Sequence, residues 1–484
     1  MLTRRALAGP IFYAVEDGSV VVSSKLAPLV AALRRRPIIS SRYLAWLLAT
    51  EAPEDLASTT YEGVYRVPTH HVVHVWPDGR RQSALCTHAV SPADGITATE
   101  AAREIRARVM RVVSRHLSGR RRVAILAGGG VDSSAVLASA VAFARGARGP
   151  EIEAIALHFR GPGDDRPYMR ELCRALGIVP TQVSPSAGGS LVRRMMVLDG
   201  EPATSPNTAC EGAVLLTALQ HGAEIAIGGV GGDDLFMGKP ESLATWATEG
   251  APHRAIRAAI RLRVDWRDPG LAQAWHFVVR PLLVRHVPHA VRKLRRRLRS
   301  RSNFPWARGE FRFCVDRDRD PLLTPPDSAS ARYTRFVTFP YLMGIVDARA
   351  QAAADLGIER VDPLLDDELV EFVASLPPHL LLHGGRTRGL FREAMEGLVP
   401  DAVRLRVDKA YFEPAMAATV DAGGGFRALD DLAMVRNLER LGFVDAKAFR
   451  RAFDALARDP EGRGEDWINV WPTLSVEAFL AGQP

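Results

Sequence analysis

The chain has 484 residues, 47% apolar content and a net charge of +8, which is enough length for two domains with sizeable cores. Its four cysteines (Cys86, Cys173, Cys210, Cys314) are scattered with no CxxC pair. This argues against a disulfide framework or zinc site and fits a reducing cytoplasm, while no apolar stretch is long enough for a membrane span. Of 63 basic residues five are lysine and the other 58 arginine, a skew that speaks for genome composition rather than nucleic-acid recognition.

Residues 1–95 read as a mostly β domain. Ile11–Ala14 and Val20–Val22 flank Asp17-Gly18, a hairpin signal, and Val72–Trp76 before Pro77-Asp78-Gly79 is a second. Tyr43–Ala49 is predicted helical. His70 and His71 are adjacent, so a strand would point them to opposite faces, which excludes a shared metal. Ser91–Gly95 reads as a linker, and Thr99–Leu117 as a helix with arginines on its wet face.

Residues 96–484 then alternate: strand Val123–Leu126, a helix from Ser134, strand Ile152–Phe159, a helix near Tyr168–Leu176 and strand Ile225–Ile227. Alternation of this kind predicts an α/β fold with a doubly wound parallel sheet. Two glycine-rich acidic clusters follow predicted strands, Leu126-Ala127-Gly128-Gly129-Gly130-Val131-Asp132-Ser133-Ser134 and Gly228-Gly229-Val230-Gly231-Gly232-Asp233-Asp234. Glycines at a strand-to-helix turn let backbone N–H groups close on an anion. Asp132 and Asp233 can share Mg²⁺, which usually takes one or two carboxylates plus phosphate oxygens. No Gly-Lys-Ser or Gly-Lys-Thr occurs, and Asp132 and Ser133 stand where a dinucleotide fingerprint wants glycine. The structural alternative is an ordinary tight turn, with each aspartate a helix cap.

Residues 240–320 read as irregular and basic. Their densest run, Lys293–Arg301, is a solvated face or loop in preference to a dock for an acidic peptide. Phe304-Pro305-Trp306 reads equally as a contact patch or a small core.

The first cluster is similar to the pyrophosphate loop of enzymes that cleave ATP between its α and β phosphates, with Gly128 in place of the leading serine. Together the clusters resemble the synthetase domain of glutamine-dependent asparagine synthetases, β-lactam synthetases and lasso-peptide cyclases. The resemblance extends through Gly357–Asp366, Leu369–Pro377, Gly389–Met395 and Arg404–Phe412. It implies ATP and Mg²⁺ as cofactors, held by Leu126, Gly128, Gly129, Gly130, Asp132, Ser133, Ser134, Gly231 and Gly232, with Asp132 and Asp233 as metal ligands. It further implies Lys409 as the cation for the transition states and Glu359 as the base for the amine, with an ion pair to an arginine as the competing reading for Glu359. Glu201, before Pro202, is placed near the site.

Residues 1–95 resemble the second half of the glutaminase domain of that family. Position two is Leu2 where glutamine-dependent members need cysteine, so no glutamine hydrolysis is expected and the amine belongs to the substrate. Val230 stands where β-lactam synthetases have tyrosine, which favours a lasso-type macrolactam cyclase. The expected partners are a substrate bearing carboxylate and amine, such as a precursor peptide, and a protease or leader-binding protein. Asparagine synthesis from ammonia, small-molecule amide formation and a non-catalytic relative are the alternatives.

Overall fold

The computed structural model describes the chain except residues 6, 8, 147–148, 162–163, 241, 249, 264–269, 285–303, 318–327, 407–410, 463 and 484. The basic run 293–301 and Lys409 therefore lie outside the described residues.

Residues 1–95 form two three-stranded antiparallel sheets. One is β1 (Leu2–Arg4), β5 (His71–Val75) and β6 (Arg81–Leu85). The other places β2 (Phe12–Glu16) between β3 (Ser19–Ser23) and β4 (Val64–Arg66). Both predicted hairpins are present: Glu16 pairs with Ser19 around Asp17-Gly18, and Val75 with Arg81 around Pro77–Gly79. The predicted helix runs Ser41–Thr50, and the Ser40 hydroxyl accepts from the Tyr43 N–H, one of the donors a helix start leaves unpaired. His70 sits at φ +57 just before β5 and its Nε2 lies 3.0 Å from Asp367, while His71 Nδ1 meets the Thr69 carbonyl. They share no site.

Helix Ala98–Leu117 opens with a capping box between Thr97 and Glu100. The central sheet has five parallel strands in the order β13 (Glu359–Val361), β12 (Ile225–Ile227), β7 (Arg122–Leu126), β8 (Glu151–Leu157), β9 (Thr181–Val183). A short hairpin, β10 (Val197–Leu198) and β11 (Glu201–Pro202), stands apart. Successive strand residues serve opposite layers. Val123, Ile125, Ile225 and Ile227 pack with helices Ala98–Leu117 and Val131–Ala144. Ala124, Ala226 and Ile155 pack with helix Thr208–Gln220 and residues of Pro340–Leu356. The sheet is thus covered on both faces, the doubly wound arrangement that its near-continuous apolar strands require.

The second layer also holds Phe12, Leu26, Leu44 and Val64 of the N-terminal region and Trp467 and Trp471 of the C-terminal helix, so both halves of the chain share one apolar core. Phe304, Trp306 and Phe311 join it, with Phe304 edge-on to both of the others, and Trp306 meets Phe449. They are core, not a contact patch. The segment expected to be irregular contains helices Ser242–Thr248, Pro252–Arg261 and Gly309–Arg317. Ala255 and Ala259 bury one stripe of the second, a spacing masked in the sequence by surrounding arginines. No helix among the described residues is long and apolar enough to cross a membrane, and none of the four cysteines is in a disulfide.

Candidate active site

Parallel sheets bind ligands at the carboxyl ends of their strands, and both glycine clusters lie there. After β7 the chain turns through Ala127–Gly130 into helix Val131–Ala144. This helix begins earlier than the predicted Ser134, which puts Asp132 in its first turn. After β12 it turns at Gly231, φ +89, into the short helix Gly232–Phe236, with Asp233 in its first turn. The turns touch. A Cβ on Gly232 would stand 2.5 Å from Asp132 Cγ, so only glycine permits the approach.

Between the aspartates lies the Arg388 guanidinium, its Nη1 2.7 Å from Asp132 and 2.6 Å from Asp233. Arg388 holds a left-handed backbone at φ +57, a conformation that costs energy for a residue other than glycine. Its N–H donates to the Met237 carbonyl. The other Asp132 oxygen, Oδ1, is buried and accepts no hydrogen bond among the described residues. Burial lifts the Asp132 carboxyl to about 6; Arg388 opposes this and the Asp233 charge adds to it. An unsatisfied carboxylate oxygen beside a second carboxylate is what a divalent cation relieves, so the pair fits Mg²⁺. Among the described residues no group of three or more His, Cys, Asp or Glu could hold a metal, which leaves the remaining coordination to phosphate or water.

Leu126, Gly128, Gly130, Asp132, Ser133 and Asp233 line one cavity of about 360 Å³. Its far wall, with Ala156, Leu157, Phe159 and Met169, is apolar and can take a base ring. Ser133 Oγ accepts from the Gly128 N–H at 3.1 Å. The Gly129 N–H donates to Asp165 Oδ2 at 3.0 Å, and Arg406 closes on the same carboxylate. An internal anion thus occupies the loop donor that a phosphate would use. Ser134 is fully buried beneath the loop, and Gly231 and Gly232 pack behind it against Leu365 and Asp132. These three, like Gly129, are not among the residues that line the cavity.

Glu359 requires a correction. It is the first residue of β13, level with Ile225 of β12, at the amino end of the sheet. It is exposed and paired with Arg120 at 2.7 Å. The arginine ion pair is the correct reading, and Glu359 does not face the cavity. Its neighbour Arg360 does: strand alternation turns it onto the wall, where it meets Glu211 at 3.0 Å, and Glu211 also meets Arg349 at 2.6 Å. Asp362 Oδ1 accepts from the Val230 N–H, and a Cβ on Gly228 would stand 2.2 Å from it. Asp165, Glu211, Arg349 and Arg388 come from separate elements and lie outside the motifs read in the sequence, whereas Arg406 lies within Arg404–Phe412. Glu201 is buried against Arg66 and Tyr43 at the junction with residues 1–95, where it lines a small cavity together with Glu211 and Arg349 of the nucleotide cavity wall.

A family model described as asparagine synthase matches residues 104–481. A 111-residue stretch is 32% identical to the amidase chry2 of Gibberella zeae, covering 22% of this chain and 16% of that protein. A 71-residue stretch is 28% identical to an asparagine synthetase [glutamine-hydrolyzing] 3 of Bacillus subtilis, covering 15% and 12%. The chain thus spans less than a fifth of the length of these curated relatives.

Proposed function

The chain belongs to the asparagine synthase family, whose members are ATP-dependent amide-forming ligases, and from that premise we propose that it couples a substrate carboxylate to an amine borne by the substrate. A carboxylate oxygen attacks the α-phosphorus of ATP and pyrophosphate leaves. The amine nitrogen then attacks the acyl carbon, AMP leaves with the C–O electron pair, and the amine proton passes to a base. The observation that carries this reading is the convergence of Asp132 and Asp233 on one guanidinium, with a buried Asp132 oxygen unsatisfied. Mg²⁺ bound by this pair would supply charge neutralisation for the leaving pyrophosphate. The chain's own groups orient the phosphates: the Gly129 and Gly130 N–H groups, Ser133 and Arg406. Arg388, which reaches both aspartates, would oppose the negative charge that develops on the phosphates. Lys409, three residues after Arg406 in the sequence, is retained as a second cation by its motif position.

Within this reading a peptide macrolactam ranks above a small-molecule amide, and asparagine formation from ammonia third. A precursor peptide and a protease or leader-binding protein are the partners this reading calls for, in the cytoplasm. The test is incubation with ATP, Mg²⁺ and candidate peptides. AMP and pyrophosphate in equal amounts, no ADP and a product lighter than the peptide by one water are expected. ADP as the product would overturn the adenylation step, and glutamate released from added glutamine would overturn the substrate-borne amine.

A further inference from the structure

A second cavity, about 280 Å³, is lined by Asp233, Asp234 and Leu235 of the short helix that carries Asp233. Asp233 lines both this cavity and the nucleotide cavity, so the two meet at the proposed metal carboxylate. Its body is apolar, built from Leu235, Phe336, Phe339, Val373, Leu376 and Leu381. Val373 and Leu376 come from one helix and its cap, and the others from elements elsewhere in the chain. Three cationic side chains, Lys239, Arg332 and Arg335, also line it. Arg332 is fixed there, its guanidinium donating to the Ala374 and Leu376 carbonyls at 3.0 and 3.1 Å. The acids are Asp233 and Asp234, and Asp233 is already paired with Arg388.

We propose that this cavity seats the acyl half of the substrate, a carboxylic acid with an apolar body about as large as a phenylalanyl side chain. The proposal rests on the ligase reading above and names the substrate class for it. Two features select an acid over an amine. Three cations against two acids favour an anion, and a protonated amine would add a fourth positive charge in an apolar enclosure. Continuity through Asp233 lets the carboxylate of a seated acid reach the nucleotide while its body excludes water from the junction. The size selects the body: at about 280 Å³ the cavity accepts one side chain with its carboxyl group and leaves the remainder of a peptide outside.

The probe is 3-phenylpropionate, with acetate as the short control, titrated calorimetrically into the full-length protein holding Mg²⁺ and α,β-methylene-ATP. Leu381→Trp fills the cavity and Arg335→Glu reverses a charge on its wall. The expected result is binding of 3-phenylpropionate at least tenfold tighter than acetate. Each variant should weaken it tenfold or more, with nucleotide affinity held within twofold as the measure of an intact fold. Absence of binding to the wild type, or unchanged binding in both variants, would overturn the proposal. The measurement needs no turnover. Failure of the ligase reading appears separately, as absence of AMP from every substrate in the assay above.

Discussion

Two clusters of buried charge sit within this chain, and they are built to opposite ends. At the junction of residues 1–95 with the rest, Arg4 and Arg66 face Asp347 and Glu201, all four buried. Asp347 receives both arginines, and Glu201 receives Arg66, the Tyr43 hydroxyl at 3.0 Å and Thr60. Each carboxylate there is met by several donors and the set is neutral. At the nucleotide cavity two aspartates share one arginine and an Asp132 oxygen is left without a partner. Carboxylates whose oxygens all meet donors mark a structural lock. Incomplete satisfaction, held in place by glycine contacts and a strained arginine, marks a site that expects a ligand.

The sharpest way to break this comparison is to remove one acid from each cluster. Asp347→Ala removes the carboxylate that both buried guanidinium groups meet and should cost about 3–5 kcal/mol of stability, read by denaturant unfolding. AMP formation per folded molecule should stay near wild type. Asp132→Asn should do the reverse. AMP formation falls about 100-fold or more, since a charge-neutralising metal site is lost, while the ligand-free protein unfolds no earlier than wild type. If Asp347→Ala abolished turnover without unfolding the chain, the junction would belong to the site.

The ionisation of Asp132 sharpens the same contrast with pH. Its carboxyl is lifted to about 6 in the fold, chiefly by burial. A raised carboxyl contributes stability that is fully present below its unfolded value, about 4, and is lost as the pH rises through about 6. The melting temperature of the ligand-free protein should therefore fall from about pH 4 to just above pH 6. Mg²⁺ should recover it more at the upper end of that window than at the lower, and Asp132→Asn should flatten the decline. An unchanged slope in that variant would place the titrating group elsewhere.

Next in size is Asp165, the carboxylate held by the Gly129 N–H and Arg406. A charge-assisted hydrogen bond of this kind contributes about 1.5–3 kcal/mol, which an incoming phosphate must displace. Asp165→Asn should tighten ATP binding about fivefold to tenfold by calorimetry. Weaker binding instead would make Asp165 a support for Arg406 rather than a competitor of the phosphate.

The parts of the site legible in the sequence are those made by chain neighbours. The glycine clusters announce the turns because only glycine allows backbone to approach the Asp132 carboxyl or to hold φ +89 at Gly231. The five strands are legible in part: β7, β8 and β12 stand out as apolar runs, whereas β13 is three residues long and reads Glu-Arg-Val. That brevity is why sequence reasoning misplaces Glu359. A motif fixes position along the chain, but which residue of a short strand reaches its carboxyl end depends on where pairing starts. Arg349 and Arg388 are hidden for another reason: among 58 arginines neither stands out, and only tertiary packing singles them out.

The smallest expected effect is a test of that register. Glu359 and Arg120 form an exposed pair, and such pairs contribute about 0–1 kcal/mol. Glu359→Gln should leave AMP formation within about twofold of wild type and the stability change within that range. Arg360→Gln, at the very next position, removes a cation from the cavity wall and leaves the buried Glu211 with Arg349 alone. The first variant tests a surface and the second a site, although the two residues are adjacent in the chain. A large loss of turnover in Glu359→Gln with Arg360→Gln near normal would mean that β13 pairs one residue out of step, which would exchange the faces of both side chains.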